Sequence, residues 1–292
     1  LVLRLAEPDD DEADTALWRL EVCLRPEGEA PQPVPVRRSD PQRLALAAFG
    51  VQRDLAPEGS LVNPKFPAAV TNRSATDQRV VDVIIGALAK ALPDQVVGAS
   101  NGSNTGIYIY GKDPRTGRDY YFFETMGGGF GGRASKDGKD AVQVYMTNTA
   151  NTPIEAIERE FPLLVEEYSI VSDSGGAGKY RGGCGLKRVI RPRFGDCTFG
   201  GTGERFSHKP WGIFGGFEGE SGKFAIVSED GTEKRLPNKI PKTSVSPKEQ
   251  IVVQTAGSGG YGRPEERAAY LIDADRRSGK FSADYVKRHY GR

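Results

Sequence analysis

Asp173-Ser174-Gly175-Gly176-Ala177-Gly178-Lys179-Tyr180-Arg181-Gly182-Gly183 is the stretch on which the reading of this 292-residue chain turns. It has three companions. Glu124-Thr125-Met126-Gly127-Gly128-Gly129-Phe130-Gly131-Gly132 precedes it. Pro210-Trp211-Gly212-Ile213-Phe214-Gly215-Gly216 and Ala256-Gly257-Ser258-Gly259-Gly260-Tyr261-Gly262 follow. Of the 37 glycines, 31 fall between residues 98 and 262. Glycine is used where the backbone needs positive φ, or where another backbone or a ligand comes close. This density predicts tight, positioned loops and argues against a simple helical bundle or sandwich.

Around these loops the pattern is rich in strands. Residues 107–110 and 120–123 are aromatic and β-branched, and Asp113-Pro114-Arg115-Thr116-Gly117 between them reads as a hairpin turn. Further strands are expected at 142–146, 164–171, 186–190, 224–227 and 251–254. Residues 76–92 read as a helix, capped by Thr76 and stopped by Pro93, with Val80, Val81, Ile84, Ile85, Leu88 and Leu92 on one face. Thr152-Pro153-Ile154-Glu155 has the spacing of a capping box ahead of a short helix. Residues 265–277 read as a helix, and Ser282 caps a last one ending at Gly291.

Residues 1–55 differ in texture. Residues 1–5 and 16–24 alternate as a strand pair, 28–35 is a proline-rich linker, and Ser39-Asp40-Pro41 opens a short helix that Gly50 ends. The expectation is therefore an α+β fold: one larger domain over 56–292 and a small N-terminal appendage over 1–55.

Composition sets the partners. The formal net charge is +1, so no global field attracts nucleic acid or a membrane surface. No run approaches the roughly 18 apolar residues of a membrane span. The apolar start at residues 1–5 is too short for a signal peptide. Cys23, Cys184 and Cys197 form an odd, sparse set that suits a reducing compartment, which predicts a cytoplasmic protein.

Several residues qualify for chemistry. Glycine loops invite phosphate, but around Gly178-Lys179 the P-loop pattern fails twice. Asp173 stands where the first glycine belongs, and Tyr180 replaces the hydroxyl residue. His208 and His289 have no ligand-spaced neighbours, so no metal site is expected. His208 lies in a loop beside a glycine cluster and qualifies as a catalytic partner, whereas His289 reads as a surface or cap residue. Asp173 and Ser174 qualify as a loop carboxylate and nucleophile, against the alternative that both bond to loop amides. Arg181 qualifies as a bidentate clamp for a substrate carboxylate or bicarbonate, with loop anchoring as the equal alternative. Asn63 joins it as a substrate-binding candidate.

Taken together, these signatures resemble the hydantoinase B/oxoprolinase family. The matching stretches are Pro57-Glu58-Gly59-Ser60-Leu61-Val62-Asn63-Pro64-Lys65-Phe66-Pro67-Ala68-Ala69-Val70, Gln78-Arg79-Val80-Val81-Asp82, Asn151-Thr152-Pro153-Ile154-Glu155-Ala156-Ile157-Glu158, residues 173–185, 210–216, 257–262 and 273–291. They cover residues 56–292 in order, in the manner of the C-terminal half of a B-type subunit.

The resemblance implies a component of an ATP-dependent hydrolase that opens cyclic amides of the hydantoin or 5-oxoproline type. It implies a hetero-oligomer with a hydantoinase A-type, ATP-binding partner. The related ketone carboxylases supply an alternative chemistry, and a non-catalytic assembly module or fragment is a third reading. The family's Gly-Gly-Thr-His-x-x-Asp motif is missing from this sequence. No cofactor is therefore expected on this chain. ATP with Mg and a catalytic metal are expected on the partner or on the missing half.

Overall fold

The computed structural model describes residues 2–6, 17–23, 32–37, 57–70, 73–145, 147 and 149–292. The chain divides into two compact units, Leu1–Val96 and Val97–Arg292.

The first unit holds an antiparallel sheet of β1 (Val2–Ala6), β2 (Leu17–Cys23) and β3 (Gln32–Arg37), in that spatial order. The expected strand pair is present. The expected proline-rich linker is corrected, because it supplies β3. Pro33 and Pro35 cannot donate to a ladder, and β3 lies at the sheet edge, where that loss is tolerated. The helix expected at 39–50 lies outside the described residues.

Residues 57–70 form turns, with a bridge between Ser60 and Asn63. α1 (Arg73–Leu88) begins before Thr76 and ends well before Pro93, so neither acts as its cap or stop. Pro93 instead opens a short 3-10 turn, Pro93–Gln95. Val80, Ile84 and Leu88, spaced four apart, form the buried stripe as expected.

The second unit is built on two antiparallel sheets. One contains β4 (Thr105–Lys112), β5 (Asp119–Met126), β8 (Cys197–Thr202) and β11 (Lys239–Val245), in the order β11-β8-β4-β5. The other contains β6 (Leu163–Ile170), β7 (Leu186–Pro192), β9 (Lys223–Val227), β10 (Glu233–Leu236) and β12 (Gln250–Gln254), in the order β10-β9-β12-β7-β6.

Alternation drives one face of each sheet into a shared core. Ile107, Ile109, Phe122 and Phe199 meet Ile190, Phe224, Ile251 and Val253 there. The Phe199 and Phe224 rings pack edge to face at 5.9 Å. On the outer face of the four-stranded sheet Tyr108, Tyr110 and Tyr121 stack within 6.4 Å of one another. β8 carries Gly200 because a Cβ there would meet the Tyr108 ring at 2.2 Å.

Strand register places every glycine loop at a common end of its sheet. Ile170 pairs with Leu186, and Gln254 with both Lys187 and Lys223. Loops 171–185, 203–222 and 255–262 thus leave one end of the five-stranded sheet. Met126 pairs with Thr105 and Gly106 with Thr202, so loops 98–104, 127–142 and 203–222 share one end of the other sheet.

There the loops stack backbone against backbone. A Cβ on Gly131 would lie 1.8 Å from the Gly98 carbonyl oxygen, on Gly183 1.8 Å from that of Lys139, and on Gly257 1.9 Å from that of Ser174. Only glycine fits such contacts, the same crowding that selects it at the collagen axis. Hydrogen bonds run between the segments rather than along them. Gly98 donates to Gly132, Gly132 to Gly259, Gly259 to Ala99, and Ala99 to Trp211, all at 2.8–2.9 Å. The strand expected at 142–146 is not formed: Val142 makes a single bridge to Gly128, and Tyr145 takes a φ of +51°.

Helices complete the unit. α2 (Ile154–Glu160) follows Pro153, but the expected capping box is not made. The Thr152 amide donates instead to the Glu124 carboxylate at 2.5 Å. In place of the single helix expected at 265–277, a 3-10 turn, Pro264–Glu266, precedes α3 (Ala269–Arg277). α4 (Ala283–Tyr290) forms as read: Ser282 Oγ accepts from the Tyr285 amide at 3.1 Å, and Gly291 closes the helix at a φ of +66°. Ile272, Phe281, Tyr285 and Val286 pack on Ala177, so this helical pair clasps the glycine stack. Among the described residues no helix is long and apolar enough to cross a membrane.

Candidate functional site

Arg181 sits inside the stack and anchors it. Its Nη1 and Nη2 donate to the two carboxylate oxygens of Asp140 at 2.7 and 3.1 Å, and its Nε donates to Asp275 at 2.9 Å. Nη1 also donates to the Gly182 carbonyl. Arg267 forks onto Asp137 at 2.7 and 2.9 Å and reaches Asp275 at 2.5 Å, while Lys280 pairs with Asp140 at 3.1 Å. Three cations and three carboxylates therefore tie loops 137–140 and 179–182 to α3.

Burial alone would raise the Asp140 carboxyl. Hydrogen bonds and charge from Arg181, with help from Lys280, outweigh it and hold the group below its usual value. With its guanidinium so occupied and its side chain 4% exposed, Arg181 is placed as a loop anchor rather than a clamp facing solvent.

The other candidate residues are likewise placed by the scaffold. Ser174 Oγ donates to the Val171 carbonyl at 2.6 Å and accepts from the Gly185 amide at 2.9 Å, which is the loop-amide reading. Asp173 takes a φ of +62° and accepts from the Ser282 amide at 2.7 Å, at the start of α4. His208 is exposed. His289 packs edge-on to Phe217 at 5.1 Å, and burial lowers its pKa. Asn63 belongs to the first unit, where its carbonyl accepts from the Gly59 amide at 2.8 Å. Within the second unit the structure thus brings Asp173, Ser174 and Arg181 into the loops' own hydrogen bonding and leaves His208 exposed.

Chemically adaptable groups converge elsewhere. A cleft of about 440 Å³ opens beside the stack, lined by Val142, Gln143, Thr147, Thr149, Asn151 and Tyr168. Gln143 Nε2 donates to the Thr125 carbonyl at 2.6 Å and to Asn151 Oδ1 at 3.2 Å. Asn151 Nδ2 donates to the Tyr168 hydroxyl. The Tyr168 ring covers the Arg188 guanidinium, 4.3 Å from its centroid, and Arg188 is ion-paired to Glu124. Glu124 on β5 and Arg188 on β7 face inward from the two sheets, so the pair bridges them directly under the cleft wall. Arg188 Nε and Nη2 and Gln143 Oε1 are buried without a hydrogen-bond partner.

Sequence reading missed this cleft. Its signal was available: Glu124 alternates with Phe122 and Met126, and Arg188 with Leu186 and Ile190, which marks two charges on core-facing positions. The cleft presents uncharged donors and acceptors and suits a small, neutral, hydrogen-bonding ligand.

Among the described residues no group of three or more His, Cys, Asp or Glu side chains is placed to hold a metal ion.

The hydantoinase B/oxoprolinase family pattern matches residues 49–264. The chain belongs to the hydantoinase B/oxoprolinase family. Among curated relatives, an uncharacterized protein of Methanocaldococcus jannaschii is 44% identical over 244 residues, covering 83% of this chain and 42% of that protein. A putative D-/L-hydantoinase B-type subunit from a Pseudomonas strain is 32% identical over 240 residues, covering 81% of this chain and 40% of its own length. Among solved structures, an ATP-dependent caprolactamase from Pseudomonas jessenii superposes with a TM-score of 0.72 and 26% identity, over 90% of this chain and 45% of that one. The chain therefore spans less than half the length of these relatives.

Proposed function

We propose that this chain contributes the glycine-scaffold portion of a B-type subunit in an ATP-dependent hydrolase of cyclic amides. The observation that carries this reading is the likeness, across most of the chain, to a hydantoinase component and to caprolactamase. The chemistry needs activation: an unstrained lactam carbonyl is resonance-stabilised and a poor electrophile, and transfer of a phosphoryl group to its oxygen makes it a far better one.

ATP is assigned to an A-type partner, and metal chemistry to that partner or to the remainder of a full-length B-type chain. The complex is a hetero-oligomer working in the cytoplasm. Within it the glycine stack holds the cleft rigid, and the neutral groups of Gln143, Asn151 and Tyr168 receive the amide.

The test is co-expression of this chain with an A-type partner and the rest of a B-type chain. A stable complex on gel filtration is expected. Elution of every component alone would sink the assembly reading. If the complex forms and turns over ketone with bicarbonate but not lactam, the carboxylase chemistry replaces the hydrolase.

A further inference from the structure

A strand at the edge of a sheet exposes unpaired N–H and C=O groups, and natural proteins guard such edges with proline, lysine, bulges or brevity. Three of the four sheet edges in the second unit follow that rule. β11 carries Lys239, Pro241 and Lys242 and breaks register between Ile240 and Thr243. β10 has four residues, Glu233-Lys234-Arg235-Leu236. β6 breaks register between Val165 and Glu167, at two adjacent glutamates. The fourth edge, β5, runs for eight residues in unbroken register with β4. It contains no proline or lysine, and Tyr121 and Phe123 are 61% and 58% exposed on its outer face.

We propose that β5 pairs antiparallel with β5 of a second copy of this chain, about a twofold axis at Tyr121, and so joins two four-stranded sheets into one of eight strands.

Hydrogen-bond parity decides which groups are free. The Asp113 amide donates to the Arg118 carbonyl at 2.8 Å, which makes those two a hydrogen-bonded pair. Such pairs alternate along an antiparallel ladder, so Tyr120, Phe122, Glu124 and Met126 bond to β4. Asp119, Tyr121, Phe123 and Thr125 therefore turn their backbone groups to the free side. Thr125 agrees with that parity, because its carbonyl accepts from Gln143 Nε2. Among the described residues no hydrogen bond reaches the backbone of Asp119, Tyr121 or Phe123 from the free side.

These three residues set the register. Tyr121 opposite its own copy, with Asp119 opposite Phe123 on either side, uses all their N–H and C=O groups in about six hydrogen bonds. A slip of the partner strand one way would ask the occupied Thr125 carbonyl to accept again. A slip the other way would bring Gly117 into the ladder, where the hairpin turn holds it at a φ of +67°.

The side chains agree with this register. Tyr108, Tyr110 and Tyr121 already stack within 6.4 Å of one another. The axis sets Tyr121 beside its copy and continues the aromatic row across the junction, the kind of cross-strand pair that stabilises sheets. Asp119 meets Phe123 rather than a second carboxylate.

Sedimentation velocity on the purified full chain tests the pairing. One strand pair is a small interface, so a monomer–dimer equilibrium in the micromolar range is expected. Because residue 121 faces itself, Tyr121→Lys opposes two cations and Tyr121→Glu opposes two anions. Each should weaken the dimer tenfold or more, and an equimolar mixture of the two should restore it. Tyr270→Lys, at an exposed aromatic on α3, should leave association unchanged.

An unaltered chain that stays monomeric up to about 100 µM, far above the expected affinity, overturns the inference without any variant. A dimer that neither Tyr121 substitution weakens also overturns it. So does a dimer lost in both variants that their mixture does not restore. The outcome is independent of the hydrolase reading.

Discussion

Replacing Gly259 by alanine would place a Cβ 1.8 Å from the Trp211 carbonyl oxygen and 2.4 Å from its carbonyl carbon. Ordinary contact begins at 3.4 Å, so one backbone must retreat by about 1.6 Å. It cannot do so freely. The Trp211 carbonyl accepts from Ala99, Ala99 accepts from Gly259, and Gly259 accepts from Gly132, all at 2.8–2.9 Å. Ala99, Gly132 and Gly259 are buried, so water does not replace what is lost. Breaking two of these bonds at about 1–3 kcal/mol each gives a loss of roughly 4 kcal/mol. For a unit of this size that is on the order of 10 °C in Tm.

Gly106→Ala is the control. Its Cβ would meet only Thr202 Oγ1, at 3.4 Å, and the expected change is within about 1 kcal/mol of zero. Thermal unfolding followed by tryptophan fluorescence reads the difference, and Trp211 lies in the stack itself. Hydrogen exchange by mass spectrometry should show lost protection at 98–103, 128–133 and 256–262. A Gly259→Ala protein that melts with the Gly106→Ala control, with exchange unchanged in those segments, would refute the stacking argument.

Arg181→Met leaves Asp140 without its guanidinium and removes one of the two on Asp275, and a loss of about 3–5 kcal/mol is expected in chemical denaturation; unchanged stability would contradict the anchoring role. The Asp140 carboxyl titrates below its ordinary value of 3.8, so its contribution is present above that pH and is lost as pH falls through the folded value. The stability gap between the unaltered protein and Asp140→Asn should accordingly be wide at pH 6 and close below pH 3.8, where a constant gap would argue against it. Burial pushes the Cys184 thiol up to about 11 and Cys197 up to about 12, so at pH 8 a thiol reagent should label neither until denaturant is added. Ser282→Ala removes the cap on α4 and should cost about 1 kcal/mol, with fraying of 283–290 in hydrogen exchange.

The elements legible in the sequence were those whose local pattern and tertiary role agree. The hairpin of β4 and β5, the helix α4 with its Ser282 and Gly291 ends, and the inward stripe of α1 all follow from period and capping. β3 was missed because two prolines read as a linker when the edge position is unseen. β8 was missed because Gly200 looks like a breaker until Tyr108 is known to lie over it. β10 carries Glu233-Lys234-Arg235 and has no apolar alternation to detect.

At the level of the site, the glycine clusters correctly announced close approach of backbones. Which group approaches is a long-range fact, and each cluster meets the backbone of the others. Arg181 and Ser174 were noticed for their chemistry, but their partners, Asp140, Asp275 and Gly185, are contributed by other segments or by the turn of the loop itself. Of the cleft residues, Gln143 and Tyr168 lie in no matched stretch and Asn151 only heads one, since their relation exists through hydrogen bonds between segments distant in sequence.

The most direct measurement is ADP release by the assembled complex with and without a lactam. A complex of this chain, the remainder of a B-type chain and an A-type partner is expected to hydrolyse ATP faster when 5-oxoproline, hydantoin or caprolactam is added, with the opened amino acid formed alongside. ATP hydrolysis indifferent to every cyclic amide, in a complex shown to be intact, would contradict the account.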